Sequence, residues 1–432
     1  MKYTITFFLA LLMAVSCKED DREIDIPSPE KSGYVNERLK LSEEHYYDKV
    51  LGALVGSAIG DAMGASTEMW HREAIQLKYG YISGLTPAVR EQSPEGTWAH
   101  NLTAGATTDD TRWKLAMVKY LSQYQNKWNA DNFASFISDY YGSLTQSLSN
   151  GNTIPKTDFL DTQIKKIDWI KEWARVAMAF RDNPDAYQKA LNRFYGGEMS
   201  CAGQLYTPMF GLVSGTPEKA YTIAYEHAIF DIGYAKDISG LVSAMTHTAM
   251  RTQSVDSILD TATFIDPEGY QDSRLVGRIS YSMADAAVKN VLAVKAFVLK
   301  DTLSTADSLL FKMPKNFPGT QKDWVRQESV YQFLEKDKKA IAFHSGEIWQ
   351  ILVTALQFGE GDFEKTLQFI VNYGRDNDTV AAVAGMILGA KCGYANLPLG
   401  LRTEVLRVSK ENMGIDLETM AREMTEQHPA NF

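Results

Sequence analysis

Two short clusters of carboxylates and hydroxyls carry most of the chemistry in this sequence. Thr108-Asp109-Asp110-Thr111 opens a helix-like run that continues through Arg112, Trp113 and Lys114 to Met117. Asp376-Asn377-Asp378-Thr379 opens another, from Val380 to Met386. Both are built around oxygen donors, from carboxylates and a threonine hydroxyl. If the two clusters converge, they make an all-oxygen cage of the kind that Mg²⁺, Mn²⁺ and Ca²⁺ take. A plainer reading covers part of the pattern. Thr108 is a natural N-cap, and carboxylates in a first helical turn suit the helix dipole. That reading accounts for one or two residues and leaves the recurrence unexplained. Asp376 and Asp378 are too close in sequence to share a buried site without a cation. Gly60-Asp61-Ala62-Met63-Gly64, followed by Glu68, is less telling: Asp61 could cap or pair, and Glu68 could be solvated.

The elements that must position these residues read as helices. Val50, Leu51, Leu54, Val55, Ala58, Ile59, Ala62 and Met63 recur at helical spacing, in a run that begins near Glu43. Gly52, Gly56, Gly60 and Gly64 fall every four residues on the same segment. Such a ridge costs helix propensity, so close approach of another backbone must offset it. Helical spacing also predicts runs over Trp113–Leu121, Ala130–Leu144, Ile164–Phe180, Pro184–Phe194, Lys219–Phe230 and Ile238–Met250. Further runs follow over Gly277–Lys300, Val325–Phe343, Ile348–Phe358, Asp362–Tyr373 and Thr379–Ala390. Sustained period-two alternation is scarce, so the fold class is all-α. Asp301–Phe317 reads as a polar surface excursion.

Bulk properties narrow the function. A net charge of −10 argues against nucleic acid as a partner, and 45% hydrophobic residues suit a globular protein. The N-terminus has a different character. Lys2 precedes a short apolar stretch, Phe7 to Val15, too short to span a bilayer. Ala14-Val15-Ser16-Cys17 then resembles the end of a bacterial lipoprotein signal peptide, with Cys17 as the lipid acceptor and Ala14 in place of the more usual Leu. A plain secretory signal with an incidental cysteine is the alternative. Lys18-Glu19-Asp20-Asp21 resembles the acidic export tag of some surface lipoproteins. The expected organisation is a leader over residues 1–17, a tether over 18–42 rich in charge with Pro27 and Pro29, and a catalytic domain over 43–432. The expected location is the outer membrane, facing the periplasm or the cell surface, with the membrane met only through the lipid. Cys201 and Cys392 are too few for a disulfide framework and read as buried apolar residues, with a single disulfide as the other possibility.

The three motifs in order resemble the ADP-ribosylglycohydrolase family, that of the dinitrogenase-reductase-activating glycohydrolase. They are Gly60-Asp61-x-x-Gly64-x-x-x-Glu68, Thr108-Asp109-Asp110-Thr111 and Gly374-Arg375-Asp376-Asn377-Asp378-Thr379-Val380-Ala381-Ala382. The downstream Ala384-Gly385, Gly389-Ala390 and Leu397-Pro398 also match. The resemblance implies an all-α orthogonal bundle with a dinuclear Mg²⁺ or Mn²⁺ centre in a cleft. It implies metal ligation by Thr108, Asp109, Asp110, Asp376, Asp378 and Thr379. Glu68, His247 and Gly374 would lie by the substrate, and Glu68 or Asp109 would serve as the base. His247 also reads as an ordinary core histidine. The implied substrate is small, an ADP-ribosyl group either free or on a protein. Two departures stand out, the first of which keeps both metal-binding Asp while the second bears on the substrate. Arg375 and Asn377 replace the family's Gly and Thr/Ser, and Gly196–Gly203 lacks the family's Asn while carrying Glu198, which would repel a diphosphate if it faced the cleft. A hydrolase of another nucleoside or glycoside on the same scaffold therefore stays open, as does a surface lipoprotein that binds a ligand without turnover.

Overall fold

Ser42 accepts a hydrogen bond from the His45 N–H and so starts the first helix, α1 (Glu43–Gly64). In the computed structural model, which describes residues 41–89, 101–125, 127–149, 157–299 and 312–428, α1 is buried on all sides from Val50 to Gly64. A helix that is apolar all round belongs in a core. The leader, Cys17 and most of the expected tether lie outside the described residues, as do residues 301–311 of the polar excursion.

The partner of α1 is α15 (Asn377–Cys392), likewise buried along nearly its whole length. Glycines make this pairing possible. A Cβ at Gly52, Gly56, Gly60 or Gly64 would come within 3.0 Å of the backbone of Gly389, Gly385, Ala381 or Asp378 respectively. Gly385 and Gly389 return the contact onto Gly56 and Gly52. The predicted ridge is therefore a seam between two backbones. It brings the end of α1 against the start of α15, where the second acidic cluster lies.

The remaining helices wrap this pair. They are α2 (Arg72–Tyr79), α3 (Asp109–Tyr124), α4 (Ala130–Ser149), α5 (Thr157–Asp182), α6 (Pro184–Tyr195), α7 (Pro208–Val213) and α8 (Pro217–His227). Next come α9 (Ala235–Ala249), α10 (Val255–Phe264), α11 (Ile279–Leu299), α12 (Gln321–Asp337), α13 (Ser345–Gly359) and α14 (Phe363–Tyr373). After α15 the chain closes with α16 (Leu399–Glu411) and α17 (Leu417–Gln427), both packed on α1. Trp113, Trp173, Tyr206, Phe133 and Phe230 interlock edge to face or tilted beside α3. The described residues belong to one compact unit, and the fold is all-α.

Two short antiparallel ribbons matter for the site. β1 (Trp70–His71) pairs with β4 (Gly374–Arg375), Trp70 opposite Arg375. This ties the chain just after Glu68 to the chain just before Asp376. β2 (Ala88–Val89) pairs with β3 (Asn101–Leu102), which leads into the first acidic cluster. Where Val325–Phe343 reads as one helical run, α12 stops at Asp337. The following segment bends and turns and is drawn into tertiary bonds, with Ser200 bridging to His344. Neither Cys201, which is buried, nor Cys392, which is only half-buried, is in a disulfide.

Candidate metal centre

The site is built where α1, α3 and α15 meet. Asp61, one turn before the end of α1, is fully buried. Its Oδ1 accepts from the Thr108 N–H at 2.8 Å and the Thr108 hydroxyl at 3.0 Å. Its Oδ2 accepts from the Thr111 N–H at 3.0 Å and the Thr111 hydroxyl at 2.6 Å. A carboxylate from another helix thus satisfies the first N–H groups of α3. Thr108 occupies the N-cap position, but its side chain makes no cap bond to its own helix. The capping role expected for Thr108 belongs to Asp61, and the Thr108 hydroxyl is turned toward the site.

From there the two clusters meet. Thr108 Oγ1 lies 3.2 Å from Asp378 Oδ2, and Thr379 Oγ1 donates to Asp110 Oδ2 at 3.1 Å. Asp110 Oδ1 faces the Lys114 ammonium at 3.3 Å. Asp376 accepts from the Cys201 thiol at 3.6 Å. Asp376 is an N-cap with no cap bond to the backbone of its helix, and its carboxylate is met instead by the Thr379 and Asp378 side chains. Asp110, Asp376, Asp378, Thr108 and Thr379 are all buried. Asp109 is half-buried, and its charge supports the buried Arg112 guanidinium against the cost of desolvation.

Glu68 is buried close to the second cluster. Burial, then the charges of Glu68 and Asp110, push the Asp376 carboxyl up to about 7. Burial, then Glu68, Asp376 and Asp110, push Asp378 well above the ordinary carboxylate range. Burial and Asp110 raise Asp61 to about 6. The cluster is therefore a set of carboxylates that repel one another away from water. Asp378 Oδ1 is buried and has no hydrogen-bond partner. Among the described residues no three His, Cys, Asp or Glu side chains are already gathered into a ligating group. Their oxygens bond instead to hydroxyls and to Lys114. Asp110, Asp376 and Asp378 with the Thr108 and Thr379 hydroxyls are the donors that could hold a hard divalent cation.

The flanking residues have clear tasks. Gly374 has φ +87°, and a Cβ there would strike the Trp70 carbonyl, so the β1–β4 ribbon requires glycine. Arg375 also has positive φ, at +66°. Its guanidinium binds both oxygens of Glu347, at 2.5 and 3.0 Å, and the Lys339 carbonyl at 2.8 Å. Asn377 donates to Thr67 Oγ1 at 2.8 Å and to the Val371 carbonyl, fixing the residue beside Glu68. His247 is placed differently. It is buried on α9, its ring nitrogens bonding to the Gly211 carbonyl at 3.3 Å and to Arg251 at 2.9 Å. Burial and Arg251 push its imidazole down to about 3, so it stays neutral. These partners bind it into the packing rather than to the carboxylates. Glu198 is exposed, 3.8 Å from His344, on a loop whose Cys201 touches Asp376.

Comparison with known proteins agrees with this architecture. The family model described as ADP-ribosylglycohydrolase matches residues 42–431. An uncharacterized protein of Escherichia coli, YegU, is 21% identical over 364 residues, covering 84% of this chain and 93% of that one. The ADP-ribosyl-[dinitrogen reductase] glycohydrolase of Rhodospirillum rubrum is 36% identical over a local stretch of 76 residues, 18% of this chain and 23% of that one. A solved structure titled ADP-ribosylglycohydrolase-related protein complex has a TM-score of 0.50 at 17% identity, covering 89% of this chain and 99% of that one, a likeness of fold. The chain belongs to the ADP-ribosylglycohydrolase family and is a hydrolase of glycosidic bonds.

Proposed function

We propose that this chain is a divalent-metal-dependent glycohydrolase that cleaves the anomeric bond of an ADP-ribosyl or related ribosyl substrate. The observation that carries the proposal is the meeting of the two clusters, Thr108 with Asp378 and Thr379 with Asp110. Carboxylates that repel one another, threonine hydroxyls and one orphaned carboxylate oxygen suit Mg²⁺ or Mn²⁺. Thr108, Asp109, Asp110, Asp376, Asp378 and Thr379 are the proposed ligand set for two such ions. When bound, the ions supply Lewis acidity that makes a water nucleophilic near neutral pH and hold sugar hydroxyls in place.

The chain's own residues supply the rest. Glu68, buried beside Asp376 and Asp378, is the proposed acceptor of the proton of the attacking water, with Asp109 as the other candidate. Asp61 holds the Thr108–Thr111 turn, and the β1–β4 ribbon holds Glu68 and Asp376 in register. An oxocarbenium-like centre forming at the anomeric carbon would lie in a field of negative charge, which stabilises it.

Two features favour a second substrate class, a nucleoside or simple glycoside. Arg375 is engaged by Glu347 rather than offered to a phosphate. Glu198 adds negative charge to the loop that reaches Asp376. The deciding assay incubates the full chain with ADP-ribosylated peptide, nucleosides and aryl glycosides, each with Mg²⁺, Mn²⁺ or EDTA. EDTA-sensitive release of ADP-ribose supports the first class. Turnover only of nucleosides or glycosides selects the second, and no turnover with any metal sinks both.

The proposal extends to location. Among the described residues no helix is long and apolar enough to cross a membrane, and the sequence ending at Cys17 supports a lipid anchor on the outer membrane. Cys17→Ala is then expected to move the protein from the membrane to the soluble fraction. An unchanged distribution would refute the anchor.

A further inference from the structure

The positive charges around the cluster are distributed unevenly. On α3, Lys114 lies one turn after Asp110 on the same face, and the two side chains are 2% and 1% exposed. The Lys114 ammonium sits 3.3 Å from Asp110 Oδ1, while Asp110 Oδ2 is taken by the Thr379 hydroxyl. Arg112, on the same helix, faces the charges of Asp109 and Asp61. The first cluster therefore carries two cations of its own. The second does not. Arg375, the basic residue nearest it in sequence, is held by Glu347. Asp376 is met by the Cys201 thiol and by the Thr379 and Asp378 side chains, Asp378 by the Thr108 hydroxyl, and among the described residues neither has a lysine or arginine ion pair. Asp378 Oδ1 has no partner.

We infer that Lys114 is a resident counter-ion for Asp110, so that the centre binds one divalent cation tightly on the Asp376–Asp378 side and a second only weakly on the Asp110 side. A buried ammonium persists only where it is paired, and Asp110 is the ion-pair partner that the structure gives it. A second ion that engages Asp110 must share that carboxylate with Lys114 and meets the repulsion of a fixed positive charge a few ångströms away. At the effective dielectric of protein sites, this repulsion corresponds to at least about a thousandfold in affinity. The inference rests on the reading of the acidic cluster as a metal centre, and its test separates the two.

The test is Mn²⁺ binding to the metal-stripped full chain, with free Mn²⁺ followed by its electron paramagnetic resonance signal. The wild type should bind one ion tightly and a second at least about a thousandfold more weakly. Lys114→Met, which keeps the length of the side chain and removes its charge, should bring the second site close to the first. Lys114→Arg, which keeps the charge, should leave the gap open. Two ions bound by the wild type with indistinguishable affinity would overturn the role of Lys114 while leaving the metal centre standing, and this readout needs no variant to fold. An unchanged gap in a folded Lys114→Met protein would overturn it equally. No Mn²⁺ bound at all would overturn both the inference and the metal centre beneath it.

Discussion

At the scale of single residues, the site separates carboxylates that hold the fold from carboxylates that strain it. Asp61 accepts four hydrogen bonds, two of them from backbone N–H groups at the start of α3. Removing it leaves those donors buried and unsatisfied, at a cost of about 3 kcal/mol. Asp61→Ala should therefore show a clearly lower urea midpoint as well as lost turnover. Asp378 is the opposite case, pushed up by burial and by four neighbouring carboxylates. Asp378→Ala should abolish metal-dependent hydrolysis while leaving the metal-free protein at least as stable as wild type. A large drop in stability in that variant would contradict the picture of a frustrated ligand. Both clusters are legible in the sequence because a hydroxyl and paired carboxylates recur at two helix starts. The role of Asp61 is not, because one carboxylate in an apolar helix is compatible with capping, pairing or ligation alike. Nor is the setting of His247, whose partners Gly211 and Arg251 are given by packing rather than by any local pattern.

At the scale of elements, the α1–α15 seam carries both stability and ligand placement, and the two can be separated along its length. Gly56 lies against Gly385, a turn or two away from the ligands, whereas Gly64 lies against the backbone of Asp378 itself. Overpacking at either position costs about 1–3 kcal/mol. Gly56→Ala should lower stability in a denaturant titration with little change in metal affinity. Gly64→Ala should lower metal affinity as well, because the backbone that must give way carries a ligand. Equal losses of metal affinity in the two variants would mean that the seam acts only as a scaffold. Four glycines at four-residue spacing make this close approach legible in the sequence itself. The helices α2, α10 and α16 carry no comparable signal, whereas α17 is marked in the sequence by Leu417, Met420, Ala421 and Met424 at helical spacing. The end of α12 at Asp337, short of the expected Phe343, has a tertiary cause. The next residues are drawn off by Glu347, which accepts from the Lys339 N–H, and by the bridge between Ser200 and His344.

At the scale of the whole molecule, the repelling carboxylates make folding, proton binding and metal binding one linked equilibrium. Asp61 and Asp376 titrate at about 6 and about 7 in the folded chain, against 3.8 for an unperturbed carboxyl. Between these values the metal-free native state holds more protons than the unfolded chain. Their contribution to stability is therefore greatest below the unfolded pKa and is lost as pH rises towards the folded values. A divalent cation replaces those protons and binds better as they leave. Other carboxylates act in the opposite sense, such as Asp323, held low by the hydroxyl and N–H of Thr320. The decisive quantity is thus the difference in unfolding midpoint between Mg²⁺-saturated and EDTA-treated protein, in which that background cancels. The difference should be small near pH 4 and widen steadily to pH 7. In Asp376→Asn, which removes one of the titrating groups, it should widen less. A stabilisation by Mg²⁺ that is the same at both ends of that range would mean that the cluster does not exchange protons for metal, and the linkage would fail.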